Sequence, residues 1–190
     1  MPTAYHKFFS RNDATDLGQA LLRLADHYPL TLRTERDFFP AVTAYLAGRV
    51  PTLGREVAGK EGVVDFRIGG NNPVLIELAV APRALIDPHD PSVVFPGHRH
   101  KSQLYAVANG PELRKLSAGK QAKARYLILL DLRGGHDAAT LRASYEAALP
   151  KGGGNAAVTI VYVAKDRQPL VFGVGGAKKG RRTMHSRDDG

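Results

Sequence analysis

Two acidic side chains, Asp65 and Glu77, interrupt the apolar segment 62–82, whose sequence is GVVDFRIGGNNPVLIELAVAP. Two runs rich in Val, Ile, Leu and Phe surround the turn-forming cluster Gly-Gly-Asn-Asn-Pro at 69–73, which predicts a β-hairpin. Because side chains alternate between the two faces of a strand, each carboxylate points away from the larger apolar side chains of its own strand. The hairpin therefore presents one carboxylate on each strand, an arrangement able to hold a cation.

The register of this hairpin decides how close the two carboxylates lie. If residues 70–72 form a three-residue loop, Ile68 pairs with Val74 and the ladder sets Asp65 directly opposite Glu77. Directly opposed Cβ atoms are about 4.5–5.5 Å apart, and like charges at that distance destabilise a sheet unless a cation lies between them. A divalent ion is the simplest such cation, and carboxylates are hard oxygen ligands suited to magnesium. The alternative is that the acids lie at a solvated sheet end or pair with Arg67 or another base.

With the residues that precede it, the hairpin resembles the core of the PD-(D/E)XK nuclease superfamily. That core has an acidic residue before an early helix, then Asp on a strand, a short turn, and Glu-x-Lys on the next strand. Asp65 and Glu77 match the two strand acids, and Glu35 in TERDFFPAVTAYL matches the upstream acid. The similarity covers roughly residues 33 to 133. It departs at the lysine of the motif, because Ala79 stands two positions after Glu77.

The resemblance implies a restriction-endonuclease-like fold, with a mixed β-sheet core flanked by helices. It also implies hydrolysis of phosphodiester bonds in nucleic acid, with DNA favoured over RNA as the substrate. It implies magnesium (Mg2+), or manganese (Mn2+), held by Asp65, Glu77 and the carbonyl of Leu78. One alternative is a catalytically impaired nucleic-acid-binding protein of the same fold. Another is an interaction module whose sequence only mimics the motif.

The missing lysine has a predicted replacement in Lys101, because some members of the superfamily draw this lysine from a neighbouring element. Lys101 begins a predicted helix over 101–108, and Gln103 is a second polar group on it. Asn-Gly-Pro at 109–111 stops this helix, and a further turn or two follows through Leu113 to Leu116. Arg83 and Lys120 are weaker substitutes. The alternative is that Lys101 and Gln103 face solvent. For Glu35, the alternative is a favourable charge at a helix N-terminus.

The remaining periodicity predicts an α/β protein with a mixed sheet. Strands are expected over Thr52–Val57, the two arms of the hairpin, Arg125–Leu132, Ala156–Val163 and Pro169–Val174, and further helices over about Asp16–Asp26, Asp37–Gly48 and Asp137–Leu149. The segment Ala81–His100 has four prolines and little periodicity, which predicts a long loop.

Length and composition predict one globular domain over 1–175, followed by a basic, disordered tail over 176–190. The chain has 27 Lys and Arg against 18 Asp and Glu, a formal net charge of +9, which favours a polyanionic partner such as nucleic acid. The absence of cysteine excludes disulfides and Cys-based zinc sites. No apolar run reaches the ~18 residues of a membrane span and no signal peptide is visible, so a cytoplasmic location without membrane contact is expected. The oligomeric state is left open, a homodimer included.

Overall fold

The protein is an α/β fold in which helices cover both faces of a six-stranded mixed sheet. The computed structural model describes residues 9–47, 49–50, 52–59, 62–82, 85–86, 89, 94–95, 104–118, 121–152 and 155–176. The expected tail over 176–190 lies outside these residues from 177 onward. The expectation of a mixed sheet flanked by helices is confirmed.

Helices and strands follow the predicted order with changed boundaries, apart from two short strands in the predicted loop and the helix predicted over 101–108, which is not formed at 104–108. The helices are α1 (Arg11–His27), a 3-10 helix (Glu35–Phe38), α2 (Phe39–Leu46), α3 (Gly110–Ala118) and α4 (Ala138–Ala148). The strands are β1 (Leu53–Gly59), β2 (Gly62–Ile68), β3 (Val74–Ala81), β4 (Leu85–Ile86), β5 (Val94–Phe95), β6 (Ala124–Asp131), β7 (Val158–Ala164) and β8 (Leu170–Val174).

The main sheet has the order β1-β2-β3-β6-β7-β8. The first three strands form an antiparallel meander, whereas β3, β6 and β7 run parallel and β8 pairs antiparallel at the edge. Strand β6 lies between two neighbours and under helices on both faces, which is why its sequence is almost continuously apolar. Strands β4 and β5 form a separate antiparallel pair within the predicted long loop.

The two faces of the sheet bury different residues, because the strand period of two separates them. Phe66, Ile76 and Leu78 pack on the first face with α1 and α2. The second face packs Ala79 and Leu127 against α3 and α4. Since residues at odd positions of β2 and β3 point to this second face, it is also the face of both hairpin acids.

The helix predicted over 101–108 is not formed in its described part, 104–108, whereas α3 contains the further turns predicted through Leu113 to Leu116. Residues 104–109 form turns, and the first helical hydrogen bond runs from the N–H of Leu113 to the carbonyl of Asn109. Pro111 is the second residue of α3, where proline is tolerated because no intrahelical bond is lost. The Asn-Gly-Pro sequence therefore starts a helix here, and the prediction that it stops one was wrong. Lys101 and Gln103 lie outside the described residues.

A buried polar network fixes the chain that leads into α3. Asp131, at the end of β6, is fully buried and accepts hydrogen bonds from the Nδ1 of His136 and the hydroxyl of Tyr162, both at 2.8 Å. The other ring nitrogen of His136, Nε2, accepts from the N–H of Leu104 at 3.0 Å, and the Leu104 carbonyl accepts from Tyr145 at 2.9 Å. Both backbone groups of Leu104 are therefore held by side chains from distant parts of the chain.

Asp131 stays ionised within this network. Burial by itself raises its pKa, but the hydrogen bonds from His136 and Tyr162 outweigh burial and lower the pKa to about 2. The backbone N–H groups of Arg133 and Gly134 donate to its other oxygen, so several donors depend on one carboxylate.

Removing this carboxylate should destabilise the fold strongly. We expect Asp131→Ala to lower the free energy of unfolding by about 3 kcal/mol or more at neutral pH, because several buried donors lose their acceptor. Tyr162→Phe, which removes one donor, should cost about 1 kcal/mol. Urea unfolding measures both, and equal losses in the two variants would contradict the central place of Asp131.

The same network makes the stability of the protein depend on pH in acid solution. A carboxyl whose folded-state pKa is lowered stabilises the protein above its unfolded value of 3.8, and this contribution is lost as the pH falls toward about 2. Wild type should therefore lose stability over that range more steeply than Asp131→Ala does.

Candidate active site

The hairpin has the register that the sequence predicts. Ile68 pairs with Val74 and Phe66 pairs with Ile76, and Asn72 takes the left-handed conformation (φ 57°) in the connecting loop. The paired ladder ends at Phe66 and Ile76, and Asp65 and Glu77 are the next residue on each strand. The two acids therefore occupy the first cross-strand position beyond the ladder, on the second face of the sheet.

Both carboxylates are removed from solvent. Asp65 is 7% exposed and Glu77 is 1% exposed. Oδ2 of Asp65 accepts a hydrogen bond from the N–H of Leu78 at 2.9 Å. By contrast, neither oxygen of Glu77 forms an aligned hydrogen bond within the described part of the chain. Glu77 is thus a buried acid that has no backbone donor of the kind that Leu78 gives to Asp65.

The cation beside this pair is Lys115, on α3. Its Nζ lies 2.9 Å from Oε1 of Glu77, an ionic contact without hydrogen-bond alignment, and donates a hydrogen bond to the carbonyl of Val63 at 3.0 Å. The sequence reasoning missed Lys115. A usable signal existed in Leu113 and Leu116, the buried stripe of α3, since a lysine next to such a stripe can extend along the sheet surface.

Burial raises the pKa of both acids. Burial is the larger cause for Glu77 and the charge of Asp65 the second, and together they raise the pKa of Glu77 to about 9 although Lys115 opposes the shift. Burial also raises the pKa of Asp65, against the hydrogen bond from Leu78. For Lys115, burial lowers the pKa, but contact with Glu77 outweighs it and the net shift is upward. At neutral pH the acid pair therefore retains a proton.

The other predicted site residues lie elsewhere. Glu35 is half-buried in the first turn of the 3-10 helix, which packs with α2 on the opposite face of the sheet. Among the described residues no three His, Asp or Glu side chains form a metal-binding group, so Glu35 does not join Asp65 and Glu77 in one. Ala79, at the position of the motif lysine, is buried and supplies no charge. The positions of Lys101 and Gln103 lie outside the described residues.

The acid pair has the oxygen ligands that a hard divalent ion takes. Glu77 offers two buried oxygens that accept no aligned hydrogen bond from the described residues, and Asp65 adds a carboxylate from the facing strand. The N–H and C=O of a strand residue point toward the same neighbour, so the Leu78 carbonyl faces β2 as its N–H does. Two carboxylates and one carbonyl suit magnesium, which keeps several waters and also binds substrate phosphates.

Neither a model of a protein family nor a curated protein matches this chain. Within the described residues, no helix combines the length and apolarity required to cross a bilayer.

The buried pair should make stability depend on pH in the opposite sense to Asp131. An acid whose pKa is raised in the folded state stabilises the folded protein fully at a pH below its pKa in the unfolded chain, which is 4.5 for Glu77. This contribution is lost as the pH rises toward the folded-state pKa of about 9. Without metal, wild type should lose stability over this range with a slope approaching about 1.4 kcal/mol per pH unit.

Glu77→Gln should remove most of that slope, because glutamine cannot ionise. Urea unfolding at a series of pH values in EDTA measures it. Glu146→Gln, an exposed acid on α4, is the matched control and should keep the wild-type slope. A Glu77→Gln protein with the wild-type slope would show that the pair does not hold the proton.

Proposed function

We propose that this protein is a divalent-metal-dependent phosphodiesterase that acts on nucleic acid, with DNA as the preferred substrate. The observation behind this proposal is the pair Asp65 and Glu77, buried at one cross-strand position with the ammonium of Lys115 against it. Two oxygen ligands and one cation, held on rigid elements, are the groups that phosphoryl chemistry needs.

Asp65, Glu77 and the carbonyl of Leu78 would hold the metal, magnesium or manganese. The bound ion supplies an activated water and neutralises charge on the phosphate. Leu78 contributes in a second way, because its N–H fixes the orientation of the Asp65 carboxylate. Burial of both acids keeps bulk water from screening these charges.

Lys115 can take the place of the lysine that Ala79 does not supply, and the role predicted for Lys101 stays a prediction because Lys101 lies outside the described residues. The side chain of Lys115 is 19% exposed, so Nζ is in contact with Glu77 and yet close to solvent. An ammonium in this place can orient the attacking water or offset charge that grows on a phosphate oxygen. Its contact with Val63 and its place on α3 hold it there before substrate binds.

The net charge of +9 supports a polyanionic substrate. It does not by itself require cleavage, and one observation favours the second candidate, a nucleic-acid-binding protein without activity. Lys115 already occupies the neighbourhood of Glu77, where its ammonium competes with a metal ion for the same oxygen. The two candidates differ in whether metal displaces the proton and the ammonium from Glu77.

Metal binding should depend on both acids and on pH. We expect calorimetric titration with magnesium or manganese to show binding that strengthens as the pH rises toward 9, because the ion must displace the proton retained by Glu77. Titration in buffers of different ionisation enthalpy should detect the released proton. Asp65→Asn and Glu77→Gln should each abolish most of the heat, whereas Asp16→Asn, an exposed acid on α1, should not. If both site variants bind the metal as tightly as wild type does, Asp65 and Glu77 are not its ligands.

Cleavage should depend on Lys115. Loss of one preorganised electrostatic contact typically costs on the order of 10²–10³ in rate, so Lys115→Met should lose most activity on single-stranded, double-stranded and branched DNA while it keeps metal binding. Arg114→Met, an exposed neighbour on the same helix with the same change of charge, is the control. Equal rates in wild type and Lys115→Met would exclude this role. Binding without cleavage by wild type on every substrate, RNA included, would support the second candidate.

A further inference from the structure

Arg125, the second residue of β6, is a buried cation without a partner. It is 7% exposed, and its Nε and Nη2 atoms are buried with no hydrogen bond to any residue that the structure describes. No carboxylate pairs with it within the same part of the chain. Burial alone shifts its pKa, in the downward direction. A native protein rarely leaves such a group unsatisfied, since an unmade hydrogen bond to a charged donor is costly.

The sheet places Arg125 beside the acid pair. Leu75 pairs with Arg125 across β3 and β6, and Glu77 pairs with Leu127, so Arg125 and Glu77 point to the same face from neighbouring strands. Strand geometry puts their Cα atoms about 8 Å apart. Both side chains lie on the face that α3 covers.

Lys115 and Arg125 lie on opposite sides of the acid pair along the strands. Lys115 contacts the carbonyl of Val63, two residues before Asp65. Arg125 pairs with Leu75, two residues before Glu77 on β3. Arg67 also pairs with Leu75, but it donates to the carbonyl of Gly70 at 2.7 Å. Of these three cations, Arg125 is the one with buried nitrogens, Nε and Nη2, that form no hydrogen bond among the described residues.

We propose that Arg125 is an anion-binding residue that takes a phosphoryl oxygen, in a subsite adjoining Asp65 and Glu77. A guanidinium has a rigid set of donors that match two phosphate oxygens, and a buried one binds without first losing its water. The phosphoryl group comes either from the nucleic-acid backbone, as the phosphate next to the one attacked, or from a free phosphate. The first source rests on the proposed function, whereas the chemistry of the subsite does not.

The unliganded protein should be less stable because of this arginine. Arg125→Met keeps the length of the side chain and removes an unpaired buried charge, so its thermal unfolding midpoint without anions should equal or exceed that of wild type. Arg133→Met is the matched control, because Arg133 is exposed just beyond the other end of β6 and its substitution removes the same charge. A clear loss of stability in Arg125→Met alone would mean that Arg125 has a structural partner and would overturn the proposal.

Anion binding gives the decisive measurement. In EDTA, so that metal and cleavage play no part, inorganic phosphate and a short DNA oligonucleotide are titrated separately into wild type, Arg125→Met and Arg133→Met. We expect Arg125→Met to lose about 10-fold to 100-fold in affinity, the value of a charge-assisted hydrogen bond, while Arg133→Met binds as wild type does. If Arg125→Met loses affinity for the oligonucleotide, the phosphoryl group comes from the nucleic-acid backbone. If it loses affinity for inorganic phosphate but not for the oligonucleotide, the ligand is a free phosphate. Unchanged affinity of Arg125→Met for both ligands overturns the proposal.

Two further results keep the tests separate. The phosphate affinities of wild type, Arg125→Lys and Arg125→Gln should fall in that order, and equal affinities in the three proteins overturn the subsite. If wild type neither binds metal nor cleaves, but Arg125→Met still loses phosphate affinity, the phosphodiesterase proposal fails and the anion subsite stands.

Discussion

Two carboxyl groups buried at one cross-strand position constrain everything around them. Burial raises the pKa of both Asp65 and Glu77, and the charge of Asp65 raises the pKa of Glu77 further. One hydrogen bond from the N–H of Leu78 and the ammonium of Lys115 oppose this effect. A metal ion that binds Glu77 must therefore displace a proton and compete with Lys115 for Oε1.

The position of that ammonium depends on contacts far from the acids. Lys115 belongs to α3, and α3 begins after a turn whose first described residue, Leu104, is held by His136 and Tyr145. His136 is in turn fixed by Asp131 at the end of β6. The parallel strand β6 thus supports the site through the network at its carboxyl end and supplies Arg125 near its amino end. A change at Asp131 would be expected to move α3 before it affects the acid pair itself.

Unsatisfied charge is concentrated on one face of the sheet. Glu77 and Arg125 are both nine-tenths or more buried, both have unused hydrogen-bonding atoms, and both point toward α3. The first face, packed by α1 and α2, contains the larger aromatic and aliphatic side chains of the hairpin. Proteins leave buried polar groups unsatisfied mainly where a ligand satisfies them, so this asymmetry is the physical argument for a site on the second face.

Local sequence determined the hairpin and the position of its acids. Alternating Val, Ile, Leu and Phe around Gly-Gly-Asn-Asn-Pro sets the strands, and the short loop sets the register, because both depend on residues near one another in the chain. The apolar strand β6 and the mixed sheet could be predicted for the same reason. Tertiary structure decided the start of α3, since residues 104–108 are good helix formers in isolation, but Leu104 is held by side chains 32 and 41 positions away. It also decided which cations lie near the acids, because no local pattern encodes long-range contacts. The packing of α3 brings Lys115 against Glu77, and the pairing of β3 with β6 sets Arg125 opposite Leu75, two residues from Glu77.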